Sequence, residues 1–321
     1  MTDEPISFTD WLTDSLPVQE TPDKKYRHRR LDENAALRQR ILPRLKQVVF
    51  EAHEDARRHI RDIEGVSLNP VEISEGQDPA AGYPGQTVHT NNLMGYFGEV
   101  LTSIICEEFA PFGDARWEVP AYFFRFHYDE DRHREQVEQI GKKTDPDEEI
   151  RPGRTGEDCL AFIMDETDNI THTLICEAKC RTQHTEKKIQ GKQGEVIITT
   201  EVSEAHQKIS ERYLVPLDRP RIIEILRDYS PQEKPKASKW ITALQKLRFE
   251  EQRVPGYQRF DLICCIYGTI RRQGQTWIPR EAHHPAYKGG RFLEAIEIYI
   301  RDVKTVVREV YDYQGPADDL E

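Results

Sequence analysis

The segments Gly156-Glu157-Asp158-Cys159-Leu160-Ala161-Phe162-Ile163 and Thr171-His172-Thr173-Leu174-Ile175-Cys176-Glu177-Ala178-Lys179 decide how this chain reads. Each is an apolar run of strand length with charge at one end, and a short polar stretch separates them. Side chains alternate across a strand. As two strands of a hairpin, the segments place Asp158 on the face of Leu160 and Phe162. Glu177 then shares a face with Ile175 and Lys179. Two carboxylates and an amine at the end of an apolar hairpin cost desolvation energy unless something pairs with them. A divalent cation is the partner that would use all three.

Working outward, residues 91–109 carry Leu93, Phe97, Val100, Leu101, Ile104 and Ile105 at helical spacing, with Glu99 one residue from the stripe. Residues 117–128 alternate as a strand, and 129–152 are charged and turn-rich. Residues 182–194 predict a mobile basic loop. Helices are expected over 203–213 with Ser203 as N-cap, over 221–229 after a turn at 216–220, and over 237–249. The run Phe260-Asp261-Leu262-Ile263-Cys264-Cys265-Ile266-Tyr267 suits a strand covered on both faces. Ile296, Ile300, Val303, Val307 and Val310 predict one long helix over 292–311. Toward the N-terminus, 65–90 is a Gly/Pro-rich loop, and 32–64 is helical with Pro43 expected to kink or divide it. Residues 1–30 read as a polar arm with one short amphipathic piece at 8–16. The order of helix, strands, helix, strand, helix is an α/β pattern.

The 321 residues allow one large domain or two modest ones, and no apolar run approaches a membrane span. The N-terminus lacks the basic and apolar regions of a secretory signal. Six cysteines, none in a CxxC pair, lie mostly inside apolar runs. They read as reduced, mostly buried thiols of a cytoplasmic protein, and their scatter weighs against a zinc site without excluding it. The formal charge of −12 argues at first against a phosphate-bearing ligand. However, residues 151–321 hold 27 basic and 27 acidic side chains, so residues 1–150, with 18 and 30, carry the whole excess. The half with the carboxylate–lysine cluster is neutral and locally basic, at Arg151 and Arg154, Lys179 to Lys192, and Arg271-Arg272.

Phosphodiester hydrolysis needs charge stabilisation on the phosphate and a held, activated water. Mg²⁺ or Mn²⁺ supplies both through oxygen ligands. Asp158 and Glu177 offer carboxylates and Ala178 a main-chain carbonyl. Lys179 leans into the same pocket, where its ammonium would position water or stabilise developing charge, and where a depressed pKa would fit it for a base role.

Asp158, a strand-forming gap, and then Glu177-Ala178-Lys179 resemble the PD-(D/E)xK nuclease superfamily over roughly residues 91–270. The resemblance implies a restriction-endonuclease-like mixed sheet flanked by helices. It implies Glu99, in Gly98-Glu99 of the preceding helix, as a ligand of the metal or of its water. It also implies Gln207 and Lys208, beside His206, as polar residues facing the site, with Arg181 near the substrate. Gly156-Glu157 stands where the superfamily's name puts proline. The chain also resembles the nuclease subunits of bacterial anti-phage systems of the Hachiman type, which work with a helicase. That likeness rests on the acidic helical N-terminal region, on Gly95-Tyr96-Phe97-Gly98-Glu99, and on the paired Gly156-Glu157-Asp158 and Ile175-Cys176-Glu177-Ala178-Lys179 segments.

The expected division is 1–90, an acidic helical and arm region that docks a helicase or ATPase partner, and 91–321, the PD-(D/E)xK-like nuclease domain. Three activities stay open on the residues alone: a DNA endonuclease of defence or restriction, a repair or recombination nuclease acting on ends, and a nuclease-fold DNA-binding scaffold without turnover. His283-His284 reads as a loop pair.

Overall fold

The computed structural model describes residues 6–54, 56–58, 61, 78, 80–122, 158–190, 196–211, 222–223, 226–227, 234–250, 256–269 and 274–312. The strand expectation at 123–128, the segment 129–152, most of 65–79, all of 216–220, most of 221–229, and the basic residues Arg154, Lys192 and Arg271-Arg272 lie outside these residues.

The hairpin forms as expected. Strand β4 (Cys159–Met164) runs antiparallel to β5 (Ile170–Arg181), with Cys159 opposite Cys176 and Phe162 opposite Thr173. β5 pairs in parallel with β8 (Gln258–Tyr267), which pairs in parallel with β9 (Phe292–Tyr299). β9 pairs in parallel with β3 (Tyr26–Glu33), whose outer edge takes the short strands β1 (Leu12–Asp14) and β2 (Gln19–Glu20). The result is one seven-stranded mixed sheet. It is flanked by helices, so the chain is a mixed α/β protein.

One face is covered by α2 (Arg38–Ala52), α3 (Thr90–Glu108) and α6 (Val303–Tyr311). Phe97, Val100, Leu101 and Ile105 of α3 meet Leu174, Cys176, Cys180, Cys264 and Ile266 of the sheet. The other face carries α4 (Glu201–Glu211) and α5 (Lys234–Glu250). Val202, Ala205 and Ile209 of α4 cover Ile263, Cys265 and Tyr267, while Trp240, Leu244 and Leu247 of α5 cover Leu160, Phe162 and Ile175. Helices on both faces cover β8, and Ile278 and Tyr287 of the 274–290 segment help cover β9, which explains why both are buried runs without alternation.

Five local expectations are corrected. Residues 6–30 do not form a polar arm: a four-residue helix, α1 (Phe8–Trp11), precedes β1, and β3 enters the sheet, with Tyr26 and Leu31 buried. The sheet therefore spans residue 90 without a break. The long helix expected over 292–311 is instead β9, a turn, and α6. Asp302 takes left-handed backbone geometry (φ 53°) between them, which ends the strand's direction. The loop expected over 182–194 contains β6 (Glu186–Gln190), paired antiparallel with β7 (Val196–Thr200). Finally, Thr200 caps α4 rather than Ser203. The Ser203 N–H donates to Thr200 Oγ1 at 3.1 Å, and the Thr200 N–H donates to Ser203 Oγ at 2.8 Å, a reciprocal capping box. α2 runs unbroken through Pro43, so the expected division is absent.

Gly98 sets the distance between α3 and the motif strand. A Cβ there would lie 3.3 Å from Cys180 Cβ and 3.6 Å from Ala178 Cβ. Overpacking a filled core costs about 1–3 kcal/mol. Gly98→Leu is expected to lower the unfolding free energy by that amount, read as a lower urea midpoint, and to shift the end of β5 that carries Glu177.

Candidate active site

Glu177 and Lys179 point from β5 toward α4, on the face opposite Ala178 and Cys180. The Glu177 carboxylate is fully buried, at 0% exposure, and Asp158 at the start of β4 is 7% exposed. Lys179 Nζ donates to Glu177 Oε1 at 2.6 Å. From α4, Lys208 Nζ donates to the same oxygen at 2.8 Å and lies 2.7 Å from Oε2. It also lies 3.6 Å from Asp158 Oδ1. One ammonium therefore bridges the two carboxylates.

β4 ends where the site begins. Cys159 is the first paired residue, so Ala178 extends past its neighbour, and its N–H donates to Asp158 Oδ2 at 2.8 Å. A residue's N–H and C=O point to the same strand edge. The Ala178 carbonyl thus faces the Asp158 side of β5.

Burial pulls the Lys179 ammonium down in pKa, but the charges of Glu177 and Asp158 and the hydrogen bond to Glu177 outweigh it, and the net direction is up. Lys179 is held charged. The base role that a depressed pKa would allow is reversed by two carboxylates at close range.

The structure brings together Asp158, Glu177, Ala178, Lys179 and Lys208. It does not bring Glu99 into that set. α3 lies on the Ala178–Cys180 face, and the Glu99 charge acts on the buried hydroxyls of Tyr311 and Tyr83, adding to the burial that raises both. Among the described residues, no three carboxylate or imidazole ligands lie within 4.8 Å of one another. Gln207 turns outward and donates to Glu211 at 2.9 Å. Arg181 is exposed, and its guanidinium donates to the Cys180 carbonyl at 3.2 Å.

His206 faces the core rather than the site. Its Nδ1 donates to the Val202 carbonyl at 2.7 Å, and its ring lies 5.2 Å from that of His284 in the 274–290 loop. Burial, with a smaller contribution from His284 and His283, lowers it to about 4. His53, buried against Tyr83, Tyr96 and Tyr311, is lowered to about 3 by burial and then by Arg57. Both histidines are neutral when folded. As pH falls below the ordinary histidine value, the unfolded chain takes up protons that the folded chain refuses, so stability falls. At pH 5 each residue is expected to remove about 2 kcal/mol relative to pH 7.5. Urea unfolding at the two pH values checks this, and His206→Gln should remove its share of the difference.

Two features escaped the sequence reading. Glu201, buried at the start of α4, accepts from the Thr185 N–H at 3.1 Å and lies 2.9 Å from His184 Nδ1, tying the β5–β6 turn to the helix that carries Lys208. Cys106, Cys159 and Cys176 converge on the opposite face of the sheet. The cysteine alternation in β4 and β5 was the available signal for the second.

No helix among the described residues is long and apolar enough to cross a membrane. No protein-family model matches the chain, and comparison with curated proteins found no match.

Proposed function

We propose that this chain is a metal-dependent deoxyribonuclease of the PD-(D/E)xK kind, using Mg²⁺ or Mn²⁺. In this reading it is the nuclease effector of a bacterial anti-phage or restriction system and works with a helicase or ATPase subunit. The observation that carries the nuclease reading is the Lys208 ammonium between Asp158 and Glu177, because it shows a cation bridging these carboxylates. The donor set fits a hard cation: two carboxylates from adjacent strands, with the Ala178 carbonyl beside them. Topology adds support. A helix, an antiparallel hairpin, and a crossover through α4 to a parallel neighbour, β8, follow the order of the restriction-endonuclease-like core.

Asp158, Glu177 and Ala178 would hold the ion, which when bound polarises a phosphate oxygen and lowers the pKa of a water. The Ala178 N–H fixes the Asp158 carboxylate. Lys179, kept charged and on the same face as Glu177, is placed to bind a non-bridging phosphate oxygen and to steady charge developing at phosphorus. Lys208, released from the carboxylates, is placed on α4 to take a second phosphate oxygen. Glu99 is not among the ligands in this account.

The partner reading rests on the acidic first half of the chain. Its charge disfavours DNA on the free protein, and a subunit covering it would relieve the repulsion.

The test is incubation with closed circular and with linear DNA in Mg²⁺ or Mn²⁺. Cutting of both supports the endonuclease. Cutting of linear DNA alone identifies an end-requiring enzyme. Binding without cutting identifies a nuclease-fold scaffold and overturns the proposal.

A further inference from the structure

We propose that Cys106, Cys159 and Cys176 form a binding site for a thiophilic d¹⁰ cation, Zn²⁺ or Cu⁺, on the face of the sheet behind Asp158 and Glu177. The strand geometry builds it. Cys159 and Cys176 are register partners in β4 and β5, and each is the chain neighbour of a site carboxylate. Alternation sends the carboxylates to one face and the thiols to the other, where α3 delivers Cys106. All three Sγ atoms lie within 4.8 Å of one another, and Cys106 Sγ is 3.7 Å from Cys176 Sγ. Two thiolates on one tetrahedral zinc, with bonds of ~2.3 Å, sit about 3.8 Å apart.

Ser103 Oγ donates to Cys159 Sγ at 3.2 Å. Cys264, on the same face of β8, is close enough for its charge to act on Cys106. The triad contains no oxygen or imidazole ligand, so it selects a soft ion over Mg²⁺. The hairpin would then carry chemically distinct ion sites back to back. The sulfur-held ion would tie α3 to both strands that present Asp158 and Glu177 and fix their separation. This site does not depend on the nuclease reading.

Packed neutral thiols are the competing account, and metal content separates the two. The full chain is purified under reducing, chelator-free conditions, and its zinc and copper are counted by mass spectrometry. A second sample is refolded with Co²⁺ and read by thiolate-to-cobalt charge-transfer absorption. About one equivalent per chain is expected. The signal should be lost in Cys106→Ser and Cys176→Ser, and retained in Cys265→Ser, on the opposite face, and in Glu177→Gln. Chelator competition identifies Zn²⁺ or Cu⁺ as the resident ion. Folded, reduced wild-type protein with neither metal and no charge-transfer band overturns the proposal, as does a band that survives both serine variants. Where a serine variant fails to fold, the wild-type measurement alone decides.

Discussion

Glu177→Ala is expected to abolish metal-dependent cleavage and also to weaken the fold. Glu177 is fully buried and accepts from both Lys179 and Lys208. Among the described residues, two carboxylates and two ammonium groups balance at the site. Among the described residues, removing Glu177 leaves two ammonium groups beside the Asp158 carboxylate. Breaking a buried ion pair costs about 3–5 kcal/mol. Lys179 and Lys208 keep 17% and 28% side-chain exposure, so water takes up part of that loss, and a cost of about 2–3 kcal/mol is expected. Glu177→Gln keeps the volume and an acceptor, so it should cost less stability while still losing cleavage. Urea unfolding of both variants, set beside their cleavage rates, separates the electrostatic cost from the chemical one. Equal stability of Glu177→Ala and wild type would mean that the lysines do not depend on this carboxylate.

Lys208→Met is expected to tighten Mn²⁺ binding about tenfold and to weaken DNA binding. In the structure the Lys208 ammonium occupies the space between Asp158 and Glu177 that the ion would take. The two cations compete for the same oxygens, and removing one strengthens the other. A divalent ion added to a neutral site also leaves it positive, so a phosphodiester and the ion should each raise the other's affinity. Lys208 would then move from carboxylate to phosphate. Calorimetric titration of Mn²⁺, with and without a non-cleavable DNA duplex, measures both effects. Unchanged Mn²⁺ affinity in Lys208→Met would place the ion elsewhere.

The parts of the fold legible in the sequence are those where burial follows one simple period. The hairpin, α3 and β8 have apolar residues at strand or helix spacing, and each formed close to its expected bounds. β3 was missed because its buried positions include His28 and Arg30. Those side chains are satisfied by partners far along the chain. His28 lies 3.6 Å from Glu297, and Arg30 donates to the Gln275 carbonyl at 2.7 Å and stacks over the Tyr299 ring. Nothing local marks such residues as interior. The C-terminal strand was read as helix for a related reason. Buried Glu294 and Glu297 interrupt its apolar run, and the valines of α6 continue the spacing of Ile296 and Ile300 across the turn at Asp302.

At the site, the sequence period alone put Glu177 and Lys179 on one face. Lys208 could be named from its helix but not given its bridging position, which depends on how α4 crosses the sheet. Glu99 was expected at the site from resemblance, but α3 packs on the other face. The sheet also changes how partner docking can be examined. Removing residues 1–90 would strip β3 from β9 and α2 from the core, so loss of a partner after that deletion would report unfolding. Charge-reversing substitutions at exposed acids such as Asp10, Glu20 and Glu51 leave the core in place.

The measurement that bears most directly on the central claim is the rate of supercoiled plasmid cleavage as Mg²⁺ is titrated, for wild type, Glu177→Gln and Lys208→Met, each verified as folded. The predicted result is saturable, chelator-sensitive cleavage by wild type, none by Glu177→Gln at any Mg²⁺ concentration, and half-saturation at lower Mg²⁺ for Lys208→Met. Cleavage that is independent of the metal, or equal in wild type and Glu177→Gln, would contradict it.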